Sequence, residues 1–369
     1  MANILAIEPW FGESHQLFLE NWAKYSRHEV HLLTLPPRKW KWRMRAGSLM
    51  MIDQVKQYGQ NFDAVLASDY VNLAELVGLC PELFIGKFLC SYFHENQLTY
   101  PVQEQSERDY TFALANIMTI AASHKIIWNT RFHMEDFLLA LPAFLNLLPD
   151  PRPHQIEYIT RKRSVFIPVG LVLEPFDQAR KKRKKRKGKP LRILWPHRWE
   201  HDKNPEDFFN ILFELKKEGH TFELVILGKS YSEVPPIFNI AKNILKENII
   251  RFGYVPPSDY PGEVASCDVV VSTSLHENQG IAVIEAIAAG CDPLLPNRLS
   301  YPEILPEEIH EKHLYNSNGE LRRILRWMLN HPDRVRYRTH ENAVQRFAIQ
   351  VTAEQMDTVF DGSEKLEHF

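Results

Sequence analysis

The chain is poor in cysteine and has no pattern of metal ligands. Its four cysteines, Cys80, Cys90, Cys267 and Cys291, form no C-x-x-C pair among 369 residues. Isolated thiols in a chain of this length are typical of proteins in the reducing cytosol. We therefore expect a cytoplasmic protein that requires no metal.

The sequence also lacks a long apolar run. No stretch approaches the roughly 20 apolar residues that a membrane-spanning helix needs. The first residues, MANILAIEPWFG, have only a short apolar core with no basic segment before it, so they do not indicate a signal peptide. We expect no membrane partner.

Net charge is small, at −2, but the charges are unevenly spread. Residues 180–189, RKKRKKRKGK, contain nine basic residues, and without them the rest of the chain carries −11. This segment, the basic strap, has no hydrophobic periodicity, which predicts an exposed linker. A second cluster, RKWKWRMR at residues 38–45, interleaves basic residues with two tryptophans.

Short apolar segments alternate with helical patterns in both halves of the chain. NILAIEP, EVHLLTL, DAVLAS and KIIWNT predict strands in the first half, and LRILWP, FELVILG, IIRFGYV and DVVVSTS predict them in the second. Such alternation predicts parallel sheets built from βαβ units. We therefore predict an α/β fold with Rossmann-like domains at residues 1–172 and 190–345, whose parallel sheets face across a cleft. We expect residues 173–189 to link them and residues 346–369 to form a helical tail packed on the first domain.

Two motifs of the second half carry a resemblance to a known family. The segment HENQGIAVIEAIAAG separates Glu277 from Glu285 by seven residues, and Gly280 opens a helix between them. Upstream, PHRWEHDKNP places Arg198 and Lys203 after a strand. With a glycine-containing first loop, EPWFGESH, this arrangement resembles the retaining, family-4-type nucleotide-sugar glycosyltransferases of the GT-B fold.

A second resemblance covers nearly the whole chain. The segments LPPRKWKWRMR, YFHENQLTYP, WPHRWEHDKNPEDFF and YPEILP are similar to the eukaryotic tRNA-queuosine α-mannosyltransferase family. The resemblance implies transfer of a hexose, expected to be mannose from GDP-mannose, to queuosine in a tRNA anticodon loop. The chain departs from that family after Glu277, where Asn278 and Gln279 stand in place of an expected aromatic pair.

The resemblance also implies roles in donor binding. Arg198 and Lys203 would neutralise the departing pyrophosphate, a task suited to fixed cations. Glu277 would hold hydroxyls of the hexose, and Glu285 would accept hydrogen bonds from the ribose. The helix after Gly280 offers free N–H groups to an anion. The predicted donor-binding residues are Gly12, Glu13, Ser14, Arg198, Lys203, Tyr254, Val255, Glu277, Asn278, Gln279, Gly280, Ile281 and Glu285.

The tetrapeptide His-Glu-Asn-Gln occurs at residues 94–97 as well as at 276–279. We predict that the first copy faces the acceptor, so that His94 and Glu95 join Arg198, Lys203 and Glu277 as catalytic candidates. For the Asn and Gln of that copy, hydrogen bonding to loop backbone is an equally good interpretation. The predicted acceptor- and RNA-binding residues are Arg38, Lys39, Trp40, Lys41, Trp42, Arg43, Arg45, His94, Asn96, Gln97 and Tyr100.

The basic segments leave alternatives open. Aromatics among basic residues at 38–45 can stack on bases while the charges bind phosphates, or the tryptophans can pack on the core. The strap either attracts RNA electrostatically or is a linker or nuclear signal. A glycosyltransferase with a lipid, polysaccharide or small-molecule acceptor, and a non-catalytic RNA-binding protein, remain alternative functions. The set of Arg198, Lys203, Glu277 and Glu285 favours an enzyme.

Overall fold

The computed structural model describes residues 1–102, 108–184, 186–229 and 234–363. Lys185 of the basic strap and residues 364–369 of the predicted tail lie outside the described residues. The chain divides into two compact units, one formed by Met1–Leu171 with Ile349–Phe369 and the other by Val172–Ala348. Each unit contains one six-stranded sheet.

The first unit alternates strands and helices. Its strands are β1 (Asn3–Glu8), β2 (Glu29–Thr34), β3 (Ala64–Ser68), β4 (Phe88–Phe93), β5 (Lys125–Trp128) and β6 (Ser164–Phe166). Its helices are α1 (Glu13–Tyr25), α2 (Trp40–Tyr58), α3 (Leu73–Leu79), α4 (Tyr110–Ala122), α5 (Arg131–Leu145) and α6 (Gln155–Arg163). The strand order is β2-β1-β3-β4-β5-β6, with every pair parallel. The central strands are apolar on both faces because helices cover both.

The second unit has the same plan. After α7 (Glu174–Lys181), its strands are β7 (Leu191–Pro196), β8 (Phe222–Leu227), β9 (Ile249–Gly253), β10 (Val269–Val271), β11 (Asp292–Pro296) and β12 (Leu314–Tyr315). The other helices are α8 (Pro205–Lys217), α9 (Ile237–Ile244), α10 (Tyr260–Ala265), α11 (Ile281–Ala288), α12 (His310–His313), α13 (Asn318–Asn330) and α14 (Pro332–Arg336). The parallel strand order is β12-β11-β10-β7-β8-β9.

The last helix, α15 (Ile349–Phe360), belongs to the first unit although it comes from the end of the chain. Its buried Asp357 accepts hydrogen bonds from the indole of Trp22 at 3.0 Å and from the backbone N–H of Arg27 at 2.8 Å. A buried carboxylate needs such donors, and here they attach α15 to α1 and the segment after it. No helix among the described residues is long and apolar enough to cross a membrane.

Strand order reverses at one place in each sheet. The reversal falls between β1 and β3 in the first unit and between β7 and β10 in the second. In open α/β sheets, ligands bind beyond the carboxyl ends of the strands at such a switch point. The loops that leave β1, β7 and β10 hold part of the predicted donor-binding residues, among them Gly12, Lys203 and Glu277.

The basic strap differs from the exposed linker that its composition predicts. Its first two residues close α7, and Arg180, Arg183 and Arg186 pair with acidic side chains of the second unit. The acidic partners lie far away in sequence, so the charge run alone could not reveal them. The strap is therefore part of the second unit.

Candidate active site

Lys203 is a buried cation at the switch point of the second unit. A short 3-10 turn, His201–Lys203, follows β7 and carries this side chain. Its Nζ donates to the carbonyl oxygen of His276 at 2.7 Å and lies 3.0 Å from Asp202 Oδ2 and 3.4 Å from Glu277 Oε2. Although burial opposes it, the two carboxylates raise the pKa of Lys203. Lys203 is only 6% exposed, but because its pKa is raised the ammonium group stays charged.

Glu277 lies in the loop after β10 and is held in its ionised form. Its Oε1 accepts a hydrogen bond from the backbone N–H of Gly280 at 3.0 Å. Burial alone would raise the pKa of Glu277, yet the Lys203 ammonium and the Gly280 N–H lower it to about 2. A fixed negative charge thus lies beside the buried ammonium.

Gly280 begins helix α11 in a conformation that requires glycine. Its φ is +82°, in the left-handed region that side chains rarely adopt. A Cβ at this position would lie 2.9 Å from Cδ1 of Ile304 and 3.4 Å from Cε1 of Tyr301. The tight turn brings the start of α11 to the carboxylate of Glu277.

Two histidines flank this pair and are neutral at physiological pH. Burial and the nearby Lys203 ammonium lower the pKa of His197 to about 3 and that of His276 to about 4. Neither was among the predicted site residues, although both occur in the motifs that carry the resemblance. The sequence feature that could have indicated them is their position within the segments WPHRWEHDK and HENQ.

Glu285 lies on α11 with its side chain partly buried, one helical stretch beyond Gly280. Burial raises its pKa to about 8, and a hydrogen bond with the hydroxyl of Tyr260 on α10 only partly offsets that rise. At neutral pH the carboxyl group therefore holds its proton. A ligand that donates hydrogen bonds to it would favour the ionised form.

The other predicted donor-binding residues of this unit differ in exposure. Arg198 follows β7 with a side chain that is 42% exposed and forms an ion pair with Glu200 at 3.3 Å. Tyr254 is exposed and Val255 is buried just after β9, at the same edge of the sheet. Asn278 and Gln279 are buried, and Ile281 is partly buried at the start of α11.

A second polar cluster lies at the switch point of the first unit. His15, on α1, places Nδ1 2.7 Å from Oε2 of Glu8 at the end of β1. Although burial opposes it, Glu8 raises the pKa of His15 to about 9, so the ring is protonated. His94 follows β4, and the centroid of its ring lies 4.0 Å from the ring centroid of His15. Burial and the neighbouring His15 lower its pKa well below the usual range, so His94 is neutral.

Asp69, Trp10 and Tyr70 complete this cluster, and like Glu8 and His15 they are not among the predicted site residues. Burial raises the pKa of Asp69, after β3, to about 8, and its Oδ1 accepts from the backbone N–H of His94 at 3.4 Å. Trp10 stacks on Tyr70 with ring centroids 5.9 Å apart, and its edge meets His15 at 5.7 Å. The sequence feature that could have indicated these residues is their position directly after the predicted strands β1 and β3, where polar or aromatic residues stand.

Some predicted residues of the first unit have a structural role. A Cβ at Gly12 would lie 2.7 Å from Pro37, so close packing already accounts for this glycine. Oδ1 of Asn96 accepts from the backbone N–H groups of Leu98 and Thr99 at 3.1 and 3.0 Å, as the loop interpretation requires. Gln97 donates to Glu95 at 3.2 Å.

Two further predicted donor-binding residues open helix α1, where Glu13 has a φ of +50° and Ser14 is partly buried. Tyr100 is a partly buried member of the predicted acceptor set, and its carbonyl oxygen accepts from Nη2 of Arg108 at 3.0 Å.

The basic and aromatic cluster at residues 38–45 opens helix α2. Trp40 is partly buried against Phe112, with ring centroids 5.7 Å apart, so this tryptophan packs on the domain. Trp42 is 58% exposed. The exposed basic residues around it are Arg38, Lys39 and Lys41, while Arg43 bonds to Pro36 O and Arg45 pairs with Asp109. Packing on the core therefore describes Trp40, whereas exposed Trp42 is free to stack on a base.

Within the described residues, one group has the composition of a metal site. The ligand atoms of Asp292, His313 and His340 all lie within 4.8 Å of one another. Arg338 pairs with Asp292 Oδ2 at 2.9 Å, and His313 bonds the carbonyl oxygen of Pro293 at 2.9 Å. Protein groups thus already balance the carboxylate charge, and the group links β11 to the segment after α14.

Comparisons with known proteins agree with this arrangement. Residues 3–171 match the family model of the tRNA-queuosine alpha-mannosyltransferase N-terminal region, and residues 176–346 match that of glycosyl transferases group 1. A tRNA-queuosine alpha-mannosyltransferase from Drosophila melanogaster is 35% identical over 325 residues, which cover 86% of this chain and 85% of that protein.

Solved structures show the same fold at low sequence identity. HepE from Anabaena in complex with UDP superposes with a TM-score of 0.70 at 14% identity, covering 98% of this chain and 100% of that one. Sucrose-phosphate synthase from Thermosynechococcus elongatus gives 0.73 at 15% identity, covering 99% and 100%. The α/β architecture is thus that of the GT-B glycosyltransferases.

Proposed function

The chain belongs to the tRNA-queuosine alpha-mannosyltransferase family and is a glycosyltransferase, and on that premise we propose that it transfers mannose from GDP-mannose to queuosine in tRNA with retention of configuration. The observation that carries the proposal is the ion pair between buried Lys203 and partly buried Glu277, at the switch point of the unit that matches the group 1 model.

Lys203 would stabilise the leaving nucleoside diphosphate. When the bond to the hexose breaks, negative charge develops on a phosphate oxygen, and fixed cations stabilise it best in a water-poor site. The hydrogen bond to His276 O and the ion pair with Asp202 fix the ammonium before a donor binds. Arg198, more exposed, would engage two phosphate oxygens through its planar fork.

Glu277 would act on the hexose. Its ionised carboxylate, oriented by the Gly280 N–H, can accept hydrogen bonds from donor hydroxyls. The same charge would stabilise positive charge that develops at the anomeric carbon. Buried Asn278 and Gln279 follow it and would shape the hexose pocket, which makes them the positions to test for sugar preference.

Glu285 would bind the ribose of the nucleotide. An ionised carboxylate accepts two O–H donors, one to each oxygen. Ribose offers two vicinal hydroxyls, so the ligand would replace the proton that this group otherwise holds at neutral pH. Tyr260 would orient the carboxylate throughout.

The polar cluster of the first unit would hold the acceptor hydroxyl. Neutral His94 can accept or donate a hydrogen bond, while protonated His15 and Glu8 fix its surroundings. Glu95 lies near enough to His15 to raise its pKa. The leaving phosphate would take the acceptor proton, with His94 and Glu95 orienting the hydroxyl. With tRNA as the acceptor, the transfer reaction would take place in the cytoplasm.

The donor can be tested by nucleotide release. The enzyme would be incubated with GDP-mannose, GDP-glucose, UDP-glucose or UDP-galactose and with tRNA from queuosine-containing cells, and the freed nucleoside diphosphate measured. We expect tRNA-stimulated GDP release from GDP-mannose. Stimulated release from a UDP-sugar alone would overturn the donor assignment and leave the fold and acceptor standing.

A further inference from the structure

The basic strap combines two kinds of residue in a regular order. Arginine occurs at every third position, at 180, 183 and 186, and lysines fill all but one of the other positions. A segment that acted only through its total charge would not need this order. In the structure the two residue types have different surroundings.

The arginines face inward and hold the strap on the second unit. Arg183 donates to the carbonyl oxygen of Gly290 at 2.9 Å and lies 2.5 Å from Oδ1 of Asp268. Arg186 lies 2.8 Å from Oε2 of Glu223, and Arg180 lies 3.0 Å from Oε1 of Glu341. Their planar forks allow such paired contacts, which a lysine ammonium would not reproduce.

Asp268 is the centre of this attachment. Its side chain is 0% exposed, and a buried carboxylate needs several charged or N–H partners. Arg183, Arg186 and Arg336 all lie within ion-pair distance, and the backbone N–H of Arg192 donates at 2.9 Å. Positive charge of the strap thus balances a charge inside the unit.

The lysines face solvent. Lys182, Lys184, Lys187 and Lys189 are exposed, and none has an acidic partner among the residues that the structure describes. The backbone that carries them is fixed on both sides, since Arg183 N–H donates to Arg180 O at 3.0 Å and Arg336 donates to Lys189 O at 2.9 Å. The result is a row of exposed ammonium groups on an attached backbone.

We infer that the strap lysines form a binding surface for the phosphate backbone of RNA, while the strap arginines only attach that surface to the second unit. The inference rests on the proposed tRNA acceptor and names the part of the protein that attracts it. Phosphate contacts position a nucleic acid without reading its sequence. A backbone that is already ordered loses little entropy when RNA binds.

The test compares three variants with the wild-type protein. The first, Lys182→Gln/Lys184→Gln/Lys187→Gln, removes three strap lysines. The second, Lys217→Gln/Lys246→Gln/Lys312→Gln, is its charge-matched control, because these lysines are exposed elsewhere on the same unit and have no ion pair within the described ranges. The third variant, Arg183→Lys, keeps the positive charge but removes the planar guanidinium group that makes the paired contacts.

Binding of purified tRNA would be measured from low to high salt, and melting temperature alongside. Each phosphate contact contributes about 0.7–0.9 to the salt slope, so the first variant should lower the slope by about 2–3 and weaken binding about tenfold or more at low salt. The control should bind like the wild type. Arg183→Lys should keep the slope and lower the melting temperature by a few degrees.

Equal slopes for the two triple variants would overturn the inference, as would a reduced slope for Arg183→Lys. Transfer by the wild-type enzyme separates this result from the proposed function. If mannose transfer to tRNA occurs and the strap lysines do not change the slope, the inference alone fails. If the slopes change as expected but no tRNA is modified, the RNA surface stands and the proposed reaction fails.

Discussion

Nζ of Lys203 lies 3.4 Å from Oε2 of Glu277, a residue 74 positions further along the chain. The contact joins the loop after β7 to the loop after β10 across the switch point of the second sheet. Lys203 is buried and the Glu277 side chain is only 21% exposed, so removal of either charge disturbs the balance of charge in a poorly solvated site. The proposed donor chemistry depends on this pair.

Removal of either charge should therefore slow transfer strongly. Lys203→Ala leaves Asp202 and Glu277 without their cation, and we expect a stability loss of about 3–5 kcal/mol as well as lost activity. Glu277→Gln keeps the shape and an acceptor for Gly280 N–H, so it separates chemistry from folding. We expect its rate to fall by about 10² or more, the usual cost of one electrostatic group at a reacting centre. Rates and melting curves would be measured together.

Lys217→Ala is the matched control for this pair, because Lys217 is an exposed lysine at the end of α8 in the same unit. It should leave both rate and stability unchanged. A folded Glu277→Gln protein with wild-type turnover would remove the role assigned to the pair.

Nucleotide binding should release a proton at pH 7. Glu285 holds its proton below a pKa of about 8, and hydrogen bonds from ribose hydroxyls favour the ionised form. Affinity for GDP should accordingly increase as pH rises toward 8 and level off above it. Calorimetry in buffers of different ionisation heat measures the release, and Glu285→Gln should release none. Equal apparent heats in all buffers for the wild type would contradict this role.

The same shift has a consequence for folding. A carboxyl group whose pKa is raised from 4.5 to about 8 favours the folded state most at low pH. Its contribution is fully present below the unfolded value of 4.5 and is lost as pH rises through 8. Glu285→Gln should flatten the pH dependence of unfolding over that interval, measured by denaturant titration without nucleotide. An unchanged dependence would show that the group is ionised in the free protein.

The two tryptophans of residues 38–45 should respond differently to substitution. Trp42 is exposed among basic residues, and base stacking on such a side chain contributes about 1–3 kcal/mol. Trp42→Ala should weaken tRNA binding correspondingly without changing the melting temperature. Trp40→Ala should instead lower stability, since its ring packs on Phe112. Equal tRNA affinity for Trp42→Ala and the wild type would exclude stacking here.

Gly280→Ala tests the turn that orients Glu277. A side chain at φ +82° is strained, and its Cβ would lie within 2.9 Å of Ile304. We expect a stability loss of about 1–3 kcal/mol and weaker donor binding because the start of α11 must move. Gly219→Ala is a useful control, since it has a similar φ of +84° with open space around it. Comparable loss of donor affinity in both variants would show that strain alone is responsible.

The alternating strands and the second-unit motifs could be predicted from sequence. Short apolar runs specify buried parallel strands, and WPHRWEHDK and HENQ lie at strand ends where ligands bind. The resemblance to nucleotide-sugar glycosyltransferases implied roles for Lys203 and Glu277, but it did not predict their contact. The distance between two loops depends on strand order, which periodicity does not give.

The polar cluster of the first unit was largely missed for the same reason. Glu8, Asp69 and His94 lie at the ends of three different strands, and only the order β1-β3-β4 brings them together. The basic strap shows that composition alone does not predict whether a charged segment is attached to the domain. Nine like charges predict a solvated segment, but the buried partner of Arg183, Asp268, lies 85 positions further along the chain. A charge run contains no information about so distant a carboxylate.

Transfer from GDP-mannose to tRNA tests the central claim most directly. Bulk tRNA from queuosine-containing and queuosine-deficient cells would be incubated with the enzyme, and its nucleosides analysed by mass spectrometry. The account predicts a gain of one hexose on queuosine and no change in the deficient tRNA. A hexose on another nucleoside, or no gain with any nucleotide sugar, would contradict it.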